Sequence, residues 1–474
     1  MSYGTAARTG IEPSTGPVAL GTGNGQLVDQ IRRTGGCAEP VRMSGRAVTV
    51  SRATGEIIES YVAADEPAGH LLLACGNRRE SRCPPCSARY KGDAARIVAA
   101  GLAGDERADV PVSVASHPRL FVTLTAPSFG QVHSHVERRG RIAPCRVRRK
   151  AGLCPHGRAA WCAARHGVGD PRIGQPLCQA CFDYEGAILW NACSSELWRR
   201  TITYLPRQLA RLSGRTFADC TATARVSFAK VAEFQARGLV HFHAVIRFDG
   251  PDGAGSQAPA WATAELLDAA FRAAVAQATV PMPDGLGGVR SMSWGKQIDS
   301  RAIGVSRADG AAGITERAVA AYIAKYATKG AEVAGGADSR INDPDSIAEL
   351  PVTPHARRLM ATAWALGSDP AHRGLHLRGW AHMLGFRGHF LTKTAHYSLT
   401  FASLKGSRAA HRAALDARRL GLPEGDTTLV IRSFAFAGSG WSPEQAELAR
   451  VVRDELAARR AARWGPPPSA ERAA

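Results

Sequence analysis

The sequence predicts an α+β fold in which strands pair antiparallel. Three observations carry that expectation. Residues 224–234 and 238–246 are β-type runs joined by the turn Ala236-Arg237-Gly238, so they read as an antiparallel hairpin. Stretches of helical periodicity, residues 184–212 first among them, alternate with the strand-like runs. Cys-x2-Cys pairs at Cys83/Cys86 and Cys178/Cys181 have the spacing of metal knuckles.

Taken in order, residues 1–35 are rich in Gly, Thr and Ser and are expected to be loose. Strands are predicted at 47–51 and 57–62, a helix at 88–101, and a strand at 120–125 closed by Ala126-Pro127-Ser128. The helix at 184–212 carries Leu189, Trp190, Leu197, Trp198 and Ile202 at helical spacing, which assigns both tryptophans to a core. Beyond the hairpin come a Gly/Pro loop at 251–259, a helix at 262–276, a strand at 291–298 and a helix at 318–326 that runs to Gly330. Residues 331–350 read as a polar linker, 355–366 and 372–385 as helices, 397–404 as a strand and 405–419 as an Arg-rich segment. Ser442-Pro-Glu-Gln445 is a capping box that opens a last helix to about Arg463, followed by a Pro/Ala tail.

Composition narrows the function. The 474 residues suffice for two or three domains, and 45% are hydrophobic. Sixty Lys and Arg against 41 Asp and Glu give a formal charge of +19, which favours a polyanionic partner, most simply nucleic acid. No run of 18 apolar residues and no secretory h-region is present, so no membrane association and a cytoplasmic location are expected. In a reducing compartment the eleven cysteines read as metal ligands rather than disulfides. Cys75 joins Cys83 and Cys86 as a plausible third ligand of one structural Zn2+. A second region, with Cys145, Cys154, His156, Cys162, His166, Cys178 and Cys181, is too polar to build a large core and would fold around Zn2+. Cys193 and Cys220 stand alone and read as buried thiols. No Walker A motif is present, so no NTPase motor is expected.

The chemistry centres on Val240-His-Phe-His-Ala244. His241 and His243 are at i and i+2, on one face of a strand, while Val240, Phe242, Ala244 and Ile246 face the opposite way. Two imidazoles side by side can hold a divalent metal. An antiparallel pairing can bring Glu233 or Gln235 beside them. Two His and one carboxylate or amide leave open positions on Mn2+ or Mg2+, able to polarise a phosphate. Tyr322 and Tyr326 share a helix face, and Lys325 and Lys329 repeat that spacing next to it. A tyrosine beside lysines and a metal-polarised phosphate is a feasible nucleophile on DNA.

In this order the motifs resemble the rolling-circle replication initiators of the HUH endonuclease superfamily. Phe121-Val-Thr-Leu-Thr125 resembles the first motif, 239–246 the His-hydrophobic-His motif and 322–329 the tyrosine motif. The stretches 233–238, 294–299 and 384–389, and the run from Cys154 to Tyr184, are similar to initiators of actinobacterial plasmids and integrative elements. The resemblance covers roughly residues 70–420. It implies a central antiparallel sheet flanked by helices, with a zinc-binding insert and a helical C-terminal part. It implies that His241 and His243 are metal ligands, with Glu233 third and Gln235 the alternative. Tyr326 would be the nicking nucleophile, Tyr322 a second nucleophile or accessory, and Lys329 and then Lys325 would orient the scissile phosphate. The expected organisation is an N-terminal segment 1–70, partly disordered; a Cys-containing segment 71–115; a nicking domain 116–335 with an insert 140–185; and a basic, largely helical region 350–465. The implied activity is nicking and rejoining of one strand at an origin through a 5′-phosphotyrosine. Single- and double-stranded origin DNA, a host helicase and a host DNA polymerase are the implied partners. A relaxase or transposase with the same chemistry, and a non-catalytic zinc-dependent DNA-binding regulator, are the alternatives.

Overall fold

The histidine strand lies at the middle of a five-stranded antiparallel sheet, because its side chains are needed on both faces. The computed structural model describes residues 22–52, 54–147, 152–283, 288–304, 315–422 and 428–464. The predicted looseness of 1–21 and the tail 465–474 lie outside the described residues. The chain divides into two units, one of residues 1–77, 81–86 and 417–474 and one of residues 78–80 and 87–416.

The larger unit is built on strands β1 (Arg119–Leu124), β2 (Arg225–Phe234), β3 (Val240–Asp249), β4 (Ile298–Ala302) and β5 (Leu391–Lys393). Their order across the sheet is β4-β1-β3-β2-β5. One face is covered by helices α1 (Tyr184–Ser213) and α2 (Ala264–Gln277). Phe242, Ala244, Ile246, Leu120 and Val122 point into this core, together with Trp190 and Trp198. The opposite face carries helix α3 (Glu316–Ala327) and residues of Pro84–Ala103, packed through Ala94, Val98, Val231, Val245, Ile323 and Ala324. The period-2 alternation thus serves two cores, and one strand presents His241 and His243 to the α3 side.

Asn191, fully buried on α1, fixes the start of β3. Its side chain donates to Gly238 O and Leu384 O, both at 2.8 Å, and accepts from Val240 N at 3.0 Å. Asp249, at the other end of β3, is buried with Arg247, His117 and Ser227 as hydrogen-bond partners. Cys193 and Cys220 are buried singly.

The smaller unit is a sheet made from both ends of the chain. Val41–Ser51 pairs along its length with Thr428–Ser439, for example Val48 with Ile431, and also with Ile57–Val62 and Leu71–Leu73. Helices Thr22–Arg33 and Pro443–Trp464 pack through Val28, Ile31, Ala449 and Val452. The capping box forms reciprocally, Gln445 N donating to Ser442 Oγ and Ser442 N to Gln445 Oε1.

Several sequence expectations are corrected. Residues 22–33 are helical rather than loose. Residues 397–404 are not a strand: Tyr397 ends a 3-10 turn, where its buried hydroxyl donates to Val98 O, and the helix Phe401–Arg419 follows. Residues 372–385 form two 3-10 turns, because His376 and Leu384 adopt left-handed φ of 53° and 52°. The strand expected at 291–298 is two strands, Val289–Ser293 and β4. No helix among the described residues is long and apolar enough to cross a membrane.

Candidate active site and metal centres

The register of the β2–β3 hairpin places Glu233 directly opposite His241. Glu233 Oε2 lies 2.8 Å from His241 Nε2 and 3.1 Å from His243 Nε2, and the two Nε2 atoms are 3.1 Å apart. Three donor atoms therefore converge on one point, in a set able to hold a metal ion. Gln235 does not join them. It sits at the turn, where its side-chain oxygen accepts from Arg237 Nε at 2.9 Å.

The site is shielded on one side. Thr123 pairs with His243 across the sheet, and its hydroxyl lies 2.9 Å from His243 Nδ1. That contact orients the ring with Nε2 towards Glu233. His241 Nδ1 is buried and has no hydrogen-bond partner among the described residues. Burial pushes the pKa of His243 down, which keeps the imidazole neutral and able to ligate. Burial also pushes Glu233 up, but its contacts with the His241 and His243 rings outweigh it and hold the carboxyl below its ordinary range.

Helix α3 brings the tyrosines over this cluster. Thr315 caps its N-terminus, accepting from Ala318 N. Glu316 pairs with Arg119 of β1 at 2.8 Å. At the other end the Arg78 guanidinium donates to Ala327 O and Lys329 O and lies over the Phe390 ring. The Tyr322 hydroxyl is 3.3 Å from His243 Nε2. The Tyr326 ring stacks on His243 at an interplanar angle of 28° with centroids 5.7 Å apart, and its centre is 4.7 Å from that of the Tyr322 ring. Lys329 Nζ is 4.9 Å and Lys325 Nζ 5.5 Å from the Tyr326 ring centre. Burial raises both phenols above their ordinary range. Each phenol therefore stays protonated at neutral pH, and a nucleophilic role for either would require nearby positive charge.

Among the described residues, three further clusters can each hold a metal ion such as zinc. Cys75, Cys83 and Cys86 come together as the sequence suggests, and Cys37 completes the set. Cys37 Sγ is 3.8 Å from Cys83 and 3.7 Å from Cys86. Hydrogen bonds with Cys37 and Cys86 hold Cys83 well below the usual thiol range. In the insert, Cys154, Cys178 and Cys181 join His156, whereas Cys162 joins His133, Cys145 and His166. Desolvation pushes the Cys154 thiol up, but hydrogen bonds with Arg158, His156, Cys181 and Cys178 bring it down to about 7. Sequence reasoning missed Cys37 and His133, which are the first members of their sets along the chain and stand apart from any knuckle. It also missed Thr123, which lies inside the first motif.

Residues 24–454 match the sequence family described as replication initiator protein, pSAM2. The chain is 44% identical over 437 residues, 90% of its length, to a replication initiator protein of Streptomyces ambofaciens, of which it covers 89%. No solved structure matches it.

Proposed function

Since the chain belongs to the replication initiator family of pSAM2, we propose that it starts rolling-circle replication by nicking one strand at its origin. What carries this reading is the convergence of Glu233, His241 and His243 within 3.1 Å, with a tyrosine hydroxyl 3.3 Å from His243 Nε2. We read the five-stranded sheet with helices on both faces as an HUH nicking domain.

The donor set of two imidazoles and a carboxylate suits a divalent ion with open positions, Mn2+ or Mg2+, which when bound would polarise the scissile phosphate. The phenol oxygen of Tyr326 attacks phosphorus, forming the phosphotyrosine bond as the bond from phosphorus to the 3′ oxygen breaks. The phenol proton leaves to solvent, and the departing 3′ oxygen takes up a proton. The chain stays on the 5′ phosphate, and attack by a 3′-OH reverses the step and rejoins the strand. Lys329 and Lys325 offset the charge gathering on the phosphate oxygens. The proximity of the Tyr322 hydroxyl to His243 favours a second reading, in which Tyr322 makes the first attack and Tyr326 the second. A host polymerase would extend the free 3′-OH, and a host helicase would unwind the duplex.

The test is an SDS-resistant adduct between the protein and a labelled single-stranded origin fragment, formed with Mn2+. Mass spectrometry of the adduct identifies the tyrosine that carries the nucleotide. Loss of the adduct in Tyr326→Phe supports Tyr326, and loss only in Tyr322→Phe supports the second reading. Absence of any adduct on every origin fragment refutes nicking and favours a DNA-binding regulator. Autonomous replication of a plasmid carrying the coding region and its flanks separates an initiator from a relaxase or transposase.

A further inference from the structure

The ligands of the two insert clusters alternate along the chain. His133 and Cys145 belong to the first, Cys154 and His156 to the second, Cys162 and His166 to the first, and Cys178 and Cys181 to the second. Each cluster therefore ties together segments that flank a ligand pair of the other. Little else holds this region. Leu153 and Val168 are 70% and 84% exposed, and the pairing is a two-residue ladder plus isolated bridges. A ladder that short is not stable in water by itself. His166 carries a further mark of a metal ligand. Its Nε2 faces His133 and Cys162, while its Nδ1 lies 2.7 Å from Asp170, which Arg172 holds in turn.

The ladder itself is chemically distinctive. Glu137–Arg138 pairs with Arg141–Ile142, and Ala143 N donates to Val136 O at 2.8 Å, so a small hairpin stands between His133 and Cys145. Its turn residues Arg139 and Gly140 have φ of 51° and 71°, as a type I′ turn requires. Arginine is uncommon in that left-handed conformation, and here it sets a charge at the tip. Arg138, Arg139, Arg141, Arg146, Arg158 and Arg165 are all exposed, and none forms an ion pair with a described residue. The acids between His133 and Cys181 are Glu137, next to His135, and Asp170, already bonded to His166 and Arg172.

The module is seated on the hairpin of the candidate active site. Gly174, at φ 84°, packs so closely on the backbone of Ala236 and Arg237 that a Cβ there would collide with it. Arg237 in turn donates to Ala126 O and Pro127 O, where the chain leaves β1.

We propose that residues 133–147 and 152–181 form a cross-braced module of two Zn2+ ions whose arginine hairpin, 137–142, grips DNA phosphates beside the nicking hairpin. This rests on the DNA-processing reading above. The first ion closes the base of the hairpin, and the interleaving makes the two sites depend on each other. Phosphate contacts of this kind supply affinity without choosing a sequence.

The test uses the full chain without added Mn2+ or Mg2+, so that strand cleavage is not needed. Elemental analysis is expected to find three zinc ions per chain, the third in the Cys37 cluster. Cys162→Ser and Cys178→Ser should each lower that number and weaken binding to a labelled oligonucleotide. Arg138→Ala/Arg139→Gly/Arg141→Ala should keep its zinc and its circular dichroism yet bind at least tenfold more weakly. The dependence of log affinity on log salt should become shallower by about 2 for three lost single-strand phosphate contacts. Unchanged affinity and salt dependence in the triple variant, or fewer than two zinc ions retained when the Cys37 cluster is disabled by Cys37→Ser, would overturn the proposal. A chain that binds through the hairpin but never forms an adduct refutes nicking and leaves this inference standing.

Discussion

Thr123→Val is the sharpest probe of the candidate metal site, because it removes one hydroxyl and keeps a β-branched strand residue. Thr123 Oγ1 lies 2.9 Å from His243 Nδ1, the nitrogen turned away from Glu233 and His241. Accepting the Nδ1 proton leaves a lone pair on Nε2 for the ion and holds the ring angle. His243 is 3% exposed, so water is poorly placed to replace the hydroxyl. Loss of such an outer partner costs roughly 10- to 100-fold in metal affinity, or about 1.4–2.7 kcal/mol. Calorimetric titration of Mn2+ into the chain should show that weakening, and adduct yield should need correspondingly more Mn2+. At saturating Mn2+ the yield should return to the wild-type level, since no reacting group is altered. Unchanged Mn2+ affinity would refute the assigned orientation of His243. A deficit that no Mn2+ concentration rescues would show that Thr123 acts on the reaction instead.

Other outcomes follow from buried groups. Asn191→Ala should lower stability by about 3–5 kcal/mol in urea denaturation, because it strips three buried backbone groups of their partners. Burial depresses Lys230 from 10.5 to about 7 in the fold, so the unfolded chain binds more protons between those values and stability rises with pH across that window. The difference corresponds to a penalty on the order of 5 kcal/mol at and below pH 7. Lys230→Met should therefore raise the urea midpoint most near pH 7 and little near pH 10.5, and a gain independent of pH would refute the cause. Cys37→Ser should remove one zinc ion by elemental analysis while the adduct on single-stranded DNA still forms.

Local signals made much of the larger unit legible. The alternation in 239–246 and the turn at Ala236-Arg237-Gly238 specify the hairpin, and Glu233 falls opposite His241 as one of the two registers considered. Glu233 and Gln235 share a strand face, so the side-chain period does not separate them; the register set by the turn does, pairing Glu233 with His241 and leaving Gln235 in the turn. Tyr322 and Tyr326 follow from helical spacing in the same way. What escaped was non-local. Cys37 has no neighbouring cysteine to announce it, yet it meets Cys75, Cys83 and Cys86. The strand Thr428–Ser439 is exposed along most of its length, so no buried alternation marks it, and its partner lies near the other end of the chain. Tyr397 has a strand former's side chain but sits in a 3-10 turn, where burial against Val98 overrides propensity.

The pairing of Val48 with Ile431 has a consequence for synthesis. A ribosome releases Val41–Ser51 early and must add several hundred residues before its partner strand exists. During that interval the strand lacks its longest neighbour and offers an unpaired edge to other nascent chains. The sheet can close only on chains extended through Ser439, so products that end early keep that edge open. Translation through Ser439 is thus a condition for the fold of the smaller unit.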